Sequence, residues 1–384
     1  MELGLNHISI IAFYSIIAYL IYKNRSKIEF HKIYLLYKTK AGIKLIDRIS
    51  KWRFWKYWGY LGIPVGFIGM FAIFWVLLSK FIEMLTQPVV GKSVQLLLPG
   101  ASTGSVGPFM FMPFWTFLIC ITVIILVHEG AHGIMSRVYN FKIKSTGLGL
   151  FTIIPLAFVE PDESQLEKAS LTKQLSVFAA GPFANICTAI IVVLISFFVL
   201  NPVAGNLLEP AGLEITDVLS DFPAQNSGII AGDKILAVNN IDTLDSNAFI
   251  LKMSEVKPNE DIRITLQDRE VSLITTSNPD EVTKPYLGIS FRQDFASKSD
   301  TRFMGFLGDS ILYLIELFNW LALLNLGIAL INLLPMGPVD GGRMVRSVLH
   351  RSIKDSKKAS ILWLFVSTLS LGLLLANIFG PILF

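Results

Sequence analysis

Two histidines four residues apart, His128 and His132, enclose Glu129 in the stretch ILVHEGAHGIM, Ile125 to Met135. On a helix, positions i and i+4 stack on one face one turn apart, so both imidazoles reach a single metal ion. Glu129 is turned ~100° around the helix from His128 and addresses a water beside that ion without being a ligand. Zinc suits two imidazoles, at Zn–N distances of ~2.0–2.1 Å, and then needs a third protein ligand and one open position. The chain has five histidines (His7, His31, His128, His132 and His350), and two of them fall here. The competing reading of the same residues is a proton path or a polar helix contact.

The third ligand is sought in a second stretch, Asn332-Leu333-Leu334-Pro335-Met336-Gly337-Pro338-Val339-Asp340-Gly341-Gly342. A carboxylate near membrane depth is expensive when unpaired and stabilised when it binds a cation. Pro335 and Pro338 end a helix there, and Gly341-Gly342 permit a tight turn that aims Asp340 inward. The alternative is that Asp340 only caps the next helix.

The elements that must position these residues are membrane helices. The 384-residue chain is 53% hydrophobic and 16% charged, with a net charge of +4, whereas an average soluble domain carries about 25% charged residues. The fold class is therefore a polytopic α-helical membrane protein. Six apolar stretches approach the ~20 residues a span needs: 5–22, 57–79, 108–135, 176–200, 307–334 and 359–380. Residues 23–56 carry eleven Lys/Arg against Glu29 and Asp47. The positive-inside rule then places 23–56, 136–175 and 335–358 in the cytoplasm and 201–306 outside. Residues 201–300, with sixteen acids against eight bases, agree. The basic and aromatic tract Lys51–Tyr57 suits a headgroup belt, so no nucleic-acid partner is expected. Cys120 and Cys187 lie in apolar runs and read as packing residues.

Four regions follow: 1–107, two N-terminal spans joined by the basic loop; 108–200; 201–306, a soluble domain with short β-type runs such as Lys234–Val238 and Ile262–Leu266; and 307–384. Asn239-Asn240 and Pro258-Asn259 read as turns. Residues 145–160 are apolar but broken by Gly147, Gly149 and Pro155, and read as strands or a re-entrant loop. Val94–Gly107 reads as a flexible or re-entrant segment.

HEGAH, the GPFAN of Gly181–Asn185 and the N-x-x-P-x-x-P-x-D-G-G of Asn332–Gly342 together resemble the site-2 protease family of intramembrane zinc metalloproteases, peptidase family M50, from about Phe109 to Phe384. Gly337 departs from it, standing where a second proline is common. The resemblance implies one catalytic Zn²⁺ held by His128, His132 and Asp340, with Glu129 as catalytic acid/base and Asn332 assisting the oxyanion. It implies that 145–160 is a membrane-embedded β loop whose strand edge holds unwound substrate, with Gly149, Leu150 and Asn185 as substrate-binding candidates. Pro223–Asn239 resembles the start of a PDZ domain spanning roughly 213–292, a size filter on substrates. The implied function is hydrolysis of peptide bonds within or near transmembrane segments in the lipid bilayer. The implied substrates are single-span membrane proteins or remnant signal peptides, cut near the cytoplasmic face of the cell membrane. The rival readings are a catalytically silent membrane-protein binding or escort protein and a transporter with a histidine relay.

Overall fold

The computed structural model describes residues 5–383, apart from 31–33, 87–93, 101–103, 107, 152–153, 280 and 300. Two compact units divide the chain, Met1–Ile195 with Leu317–Phe384, and Ser196–Glu316. The first opens with α1 (Leu5–Lys23), β1 (Ile28–Phe30), β2 (Tyr34–Thr39), α2 (Ile43–Ile49) and α3 (Phe54–Thr86). Next come β3 (Leu96–Gly100), β4 (Gly104–Val106), β5 (Phe109–Pro113) and α4 (Phe114–Val138). After these are β6 (Ile143–Phe151), β7 (Ile154–Pro161), α5 (Glu163–Glu167) and α6 (Leu171–Ile195).

Five helical segments are long and apolar enough to cross a bilayer: Phe54–Thr86, Phe114–Val138, Leu171–Leu207, Arg302–Leu333 and Ser356–Gly380. The first of the six expected spans forms α1, whose apolar part, His7–Lys23, is shorter than the rest. The expected span from 108 begins instead as β5, and its helix starts after Pro113. Pro113 has no N–H to give a helix and sits in extended backbone (φ −54°, ψ 132°). The segment expected to be flexible, 94–107, contributes β3 and β4, which flank β5 in a three-stranded sheet; its residues 101–103 and 107 lie outside the described residues.

The basic loop is also more than a loop. β1 and β2 join β6 and β7 in an antiparallel sheet of order β1-β2-β6-β7. In it Leu35 stands opposite Leu150, and Leu36 opposite Gly149. Gly149 and Leu150 therefore lie on an interior strand, paired with β2 on one side and β7 on the other. Strand addition at these two residues, expected from the sequence, has no open edge to use. The outer edges of the sheet belong to β1 and β7.

The second unit continues from a π-helical turn at Ser196–Leu200 and α7 (Asn201–Leu207) into β8 (Leu208–Val218), α8 (Pro223–Asn226), β9 (Lys234–Val238) and β10 (Ile241–Asp242). Then follow α9 (Ser246–Glu255), β11 (Asp261–Leu266), β12 (Glu270–Ile274), β13 (Thr276–Ser277), β14 (Pro285–Tyr286) and β15 (Ile289–Ser297). The sheet order is β12-β11-β9-β8-β15, with β10 on β9. Alternation along β11 sends Ile262, Ile264 and Leu266 into the same core as Leu213, Ile215 and Ile235. Asn239 and Asn240, both at positive φ (51° and 62°), make the tight turn between β9 and β10, as their sequence suggests. The unit reaches past 306 because Gly308 packs on Leu208.

α10 (Arg302–Leu333), α11 (Asp340–Ser352) and α12 (Ser356–Leu383) complete the chain. In the first unit α6 is the central helix: every residue from Ser176 to Asn185 is buried. α3 reaches its neighbours through Gly59, Gly62, Gly66 and Gly69, which meet Met135, Phe183, Met344 and Leu333 respectively. Small residues on that face let the helices approach closely where lipid supplies no hydrophobic drive.

Candidate metal centre

α4 presents His128 and His132 on one face. The Asp340 carboxylate arrives from the start of α11 after the turn that follows α10. Asp340 Oδ2 lies 3.2 Å from His128 Nε2 and 3.3 Å from His132 Nε2, and the two Nε2 atoms are 3.1 Å apart. Ligands on a tetrahedral zinc at ~2.0–2.1 Å stand about 3.3–3.4 Å from one another, so the triangle already has the edge lengths of such a site. Among the described residues these three form the cluster able to hold a metal ion.

The outer nitrogens show why the triangle fits a cation. His132 Nδ1 donates to the Val177 carbonyl at 2.7 Å, which in the neutral ring fixes the tautomer and leaves Nε2 a lone pair. The Asn185 side-chain amide stands 3.2 Å from His128 Nδ1, and its Oδ1 is buried with no partner among the described residues. With Oδ1 turned to the ring, His128 Nδ1–H donates to it and His128 Nε2 is also bare. Two such lone pairs and a carboxylate oxygen repel one another unless a metal ion or protons lie between them, and the three could hold a metal ion. His128 and Asp340 are each 8% exposed, so water cannot take that role in bulk.

Asn185 is fully buried behind His128. It positions the ligand and has no surface to offer a substrate, which corrects its assignment as a substrate-binding residue. Gly181, which opens the GPFAN motif, lies one turn earlier on α6. A Cβ on it would lie 2.4 Å from His132 Nε2 and 2.7 Å from His128 Nε2. Gly181 therefore keeps the ligand face open. A glycine in such a motif permits close approach, but nothing in the sequence says what approaches it.

Glu129, beside His128, turns toward β7, where its Oε2 accepts the Val159 N–H at 3.1 Å. That N–H points away from β6, and Ala157, two residues back, presents its main chain in the same direction. Pro155 and Pro161 supply no N–H to this edge. Where β7 leaves the site, Asp162 caps α5. The hydrogen bond from the Ser164 hydroxyl, aided by Lys144 3.6 Å away, holds its carboxyl below the usual carboxylate range. Asn332 is half-buried, one residue before the end of α10.

The turn before Asp340 is tightly built. A Cβ on Gly341 would lie 2.1 Å from the Leu333 carbonyl oxygen, and one on Gly342 2.4 Å from that of Met336. Gly337 has φ of +38°, and its N–H donates to Ser367 Oγ at 3.0 Å. A proline there would provide neither, which gives the departure from the common motif a local cause.

Comparison with known proteins agrees with this geometry. The family model for peptidase family M50 matches residues 116–374. An uncharacterized protein of Methanocaldococcus jannaschii is 28% identical over 88% of this chain and 86% of its own length. A protein of Lactococcus lactis named as a candidate zinc metalloprotease is 25% identical over 50% of this chain, which spans 52% of that relative. Among solved structures, the PDZ domain of an SdrC-like protein of Listeria monocytogenes is 21% identical over 21% of this chain and 87% of its own, with a TM-score of 0.20. The model match covers well over half the chain and takes in all three candidate ligands: this chain belongs to peptidase family M50.

Proposed function

We propose that this metallopeptidase is an intramembrane zinc endopeptidase that hydrolyses peptide bonds within or near transmembrane segments. The observation that carries the reading is the triangle of His128, His132 and Asp340, the histidines on a helix long enough to span a bilayer and Asp340 just after another, with Glu129 one residue from a ligand. His128, His132 and Asp340 would hold a zinc ion, which would supply Lewis-acid polarisation of a carbonyl and a water made nucleophilic near neutral pH. Glu129 takes the proton of the attacking water and returns it to the leaving amine nitrogen. Asn332 donates its amide N–H to the oxyanion as it forms.

The substrate's main chain is read by β7. A transmembrane helix must unwind before its carbonyl is reached, and an unwound segment gains back lost hydrogen bonds by pairing with a strand edge. The edge carrying Ala157 and Val159 is the one within hydrogen-bond reach of Glu129. On this reading Gly149 and Leu150 support that edge from the neighbouring strand. The substrates are single-span membrane proteins or remnant signal peptides, and the basic loops put the metal toward the cytoplasm and the PDZ-like insert outside.

The test compares wild type with Glu129→Gln on a single-span substrate in liposomes, with bound zinc measured in both. Cleavage in wild type, with the variant keeping its zinc and losing activity by about 10²–10⁴-fold, is expected. Equal cleavage, or no zinc in either, removes the proposal and leaves a silent binding protein as the better reading.

A further inference from the structure

The other end of the Asp340 helix lines a second site. One face of α11 presents Arg343, Arg346, His350 and Arg351 to a cavity of about 630 Å³, and Lys168 faces it from the α5–α6 link. The carboxylates on its wall are Glu163 and Glu167. Glu163 is already committed: Arg343 Nη2 donates to both of its oxygens at 2.7 Å while its guanidinium stacks on Phe178 at 4.4 Å. That leaves Lys168, Arg351 and Arg346, whose guanidinium lies 5.7 Å from the Trp363 ring centre, without a carboxylate partner on the cavity wall other than Glu167 among the described residues. A basic helix C-terminus accounts for Arg351 and His350 through the helix dipole, but not for Lys168, which comes from the α5–α6 link.

Cations that line one cavity repel one another, and an anion among them relieves the repulsion. Arginine forks and a lysine suit a group with several charged oxygens, and a phosphate carries about −1.5 to −2 charge on three of them. The cavity is larger than one phosphate and admits a phosphate ester. Leu171, which opens α6, and Ser356, which opens α12, are on its rim. Both helices are candidate spans, so the cavity stands at the level where a bilayer meets water.

We propose that this cavity binds a phosphate-bearing anion, either a lipid headgroup or a soluble phosphate ester. Its occupant joins α11, which begins at Asp340, to the segment that follows β7, which gives Val159 to Glu129. Occupancy therefore steadies the pieces that carry the third ligand and the acid/base, and slows loss of zinc to a chelator. That consequence rests on the peptidase reading; the binding itself does not.

The experiment uses the full chain in phosphatidylcholine nanodiscs. Calorimetry reads binding of pyrophosphate, and native mass spectrometry after lipid exchange reads retention of phosphatidylglycerol over phosphatidylcholine. Two double variants remove equal charge: Arg346→Gln with Arg351→Gln in the cavity, and Lys357→Gln with Lys358→Gln outside it. A thermal midpoint equal to wild type in the absence of added anion shows that each is folded. The cavity variant is expected to lose about tenfold or more in affinity, with the control unchanged. If pyrophosphate shows this pattern the ligand is soluble, and if only phosphatidylglycerol shows it the ligand is a headgroup. Failure of both anions to bind, or equal loss in the two variants, overturns the proposal, because the attraction is then only that of a basic surface.

Discussion

The two sides of the metal triangle are made by different means. His128 and His132 are set by the period of a single helix, so their spacing is the site. Asp340 lies 208 residues beyond His132 and is aimed by a turn in which two glycines press on main-chain carbonyls. The two histidines differ as well. His132 is held by the backbone carbonyl of Val177, and His128 by the side chain of Asn185. A helix can deliver ligands with little help from the residues between them. A turn delivers one only if every atom around it leaves room.

Substitution of glycine by alanine breaks the comparison most directly. Gly181→Ala puts a methyl within 2.4 Å of His132 Nε2, on the face a metal must occupy. Zinc affinity is expected to fall by more than the ~10–100-fold typical of a lost outer-shell partner, read by competition with a chelator. Gly341→Ala strikes the Leu333 carbonyl, which is backbone and cannot rotate away. It is expected to lose zinc and to lower the thermal midpoint together. Gly130→Ala, between Glu129 and Ala131, meets nothing within 4 Å. There the same change stabilises α4 by about 0.5–1 kcal/mol and leaves zinc content intact. If all three behave alike, the contrast between helix and turn is wrong.

Next in size is the contrast between the two histidines. Asn185→Ala removes the partner of His128 Nδ1 and leaves that of His132 untouched. Zinc affinity is expected to weaken about 10–100-fold, with the fold retained and Glu129 still in place. No single side-chain deletion does the same to His132, because its partner is main chain. Unchanged zinc affinity in Asn185→Ala would assign the buried amide to packing alone.

These differences explain what the sequence could and could not reveal. His128, His132 and Asp340 were legible because a four-residue spacing and a proline-glycine turn are local patterns. The burial of Asn185 was not legible. It depends on α6 being surrounded by α3, α4 and α11, and an asparagine in a motif reads equally well as a substrate contact. The free strand edge expected at Gly149 and Leu150 was misread for a related reason. Their strand was recognised, but its neighbour β2 comes from more than a hundred residues upstream, in a segment whose charge suggested only a loop. Strand pairing over that distance leaves no periodic trace in either partner.

The smallest effect belongs to Gly337, and it tests whether the turn is set by conformation or by contact. Its φ of +38° suits glycine, while a Cβ there would meet nothing within 4 Å. Gly337→Ala therefore costs conformational energy alone, about 1–2 kcal/mol, and keeps the hydrogen bond to Ser367. Gly337→Pro loses that bond as well and forces φ near −65°. Thermal unfolding is expected to rank wild type above alanine and alanine above proline, with zinc retained in the alanine variant. Ser367→Ala separates the terms, because it removes the acceptor without touching φ, at a cost of about 0.5–1.5 kcal/mol. If Ser367→Ala is silent and Gly337→Ala is not, the backbone conformation alone aims Asp340. If the order is reversed, α12 holds the turn through its serine, and the third ligand depends on a helix that supplies no ligand of its own.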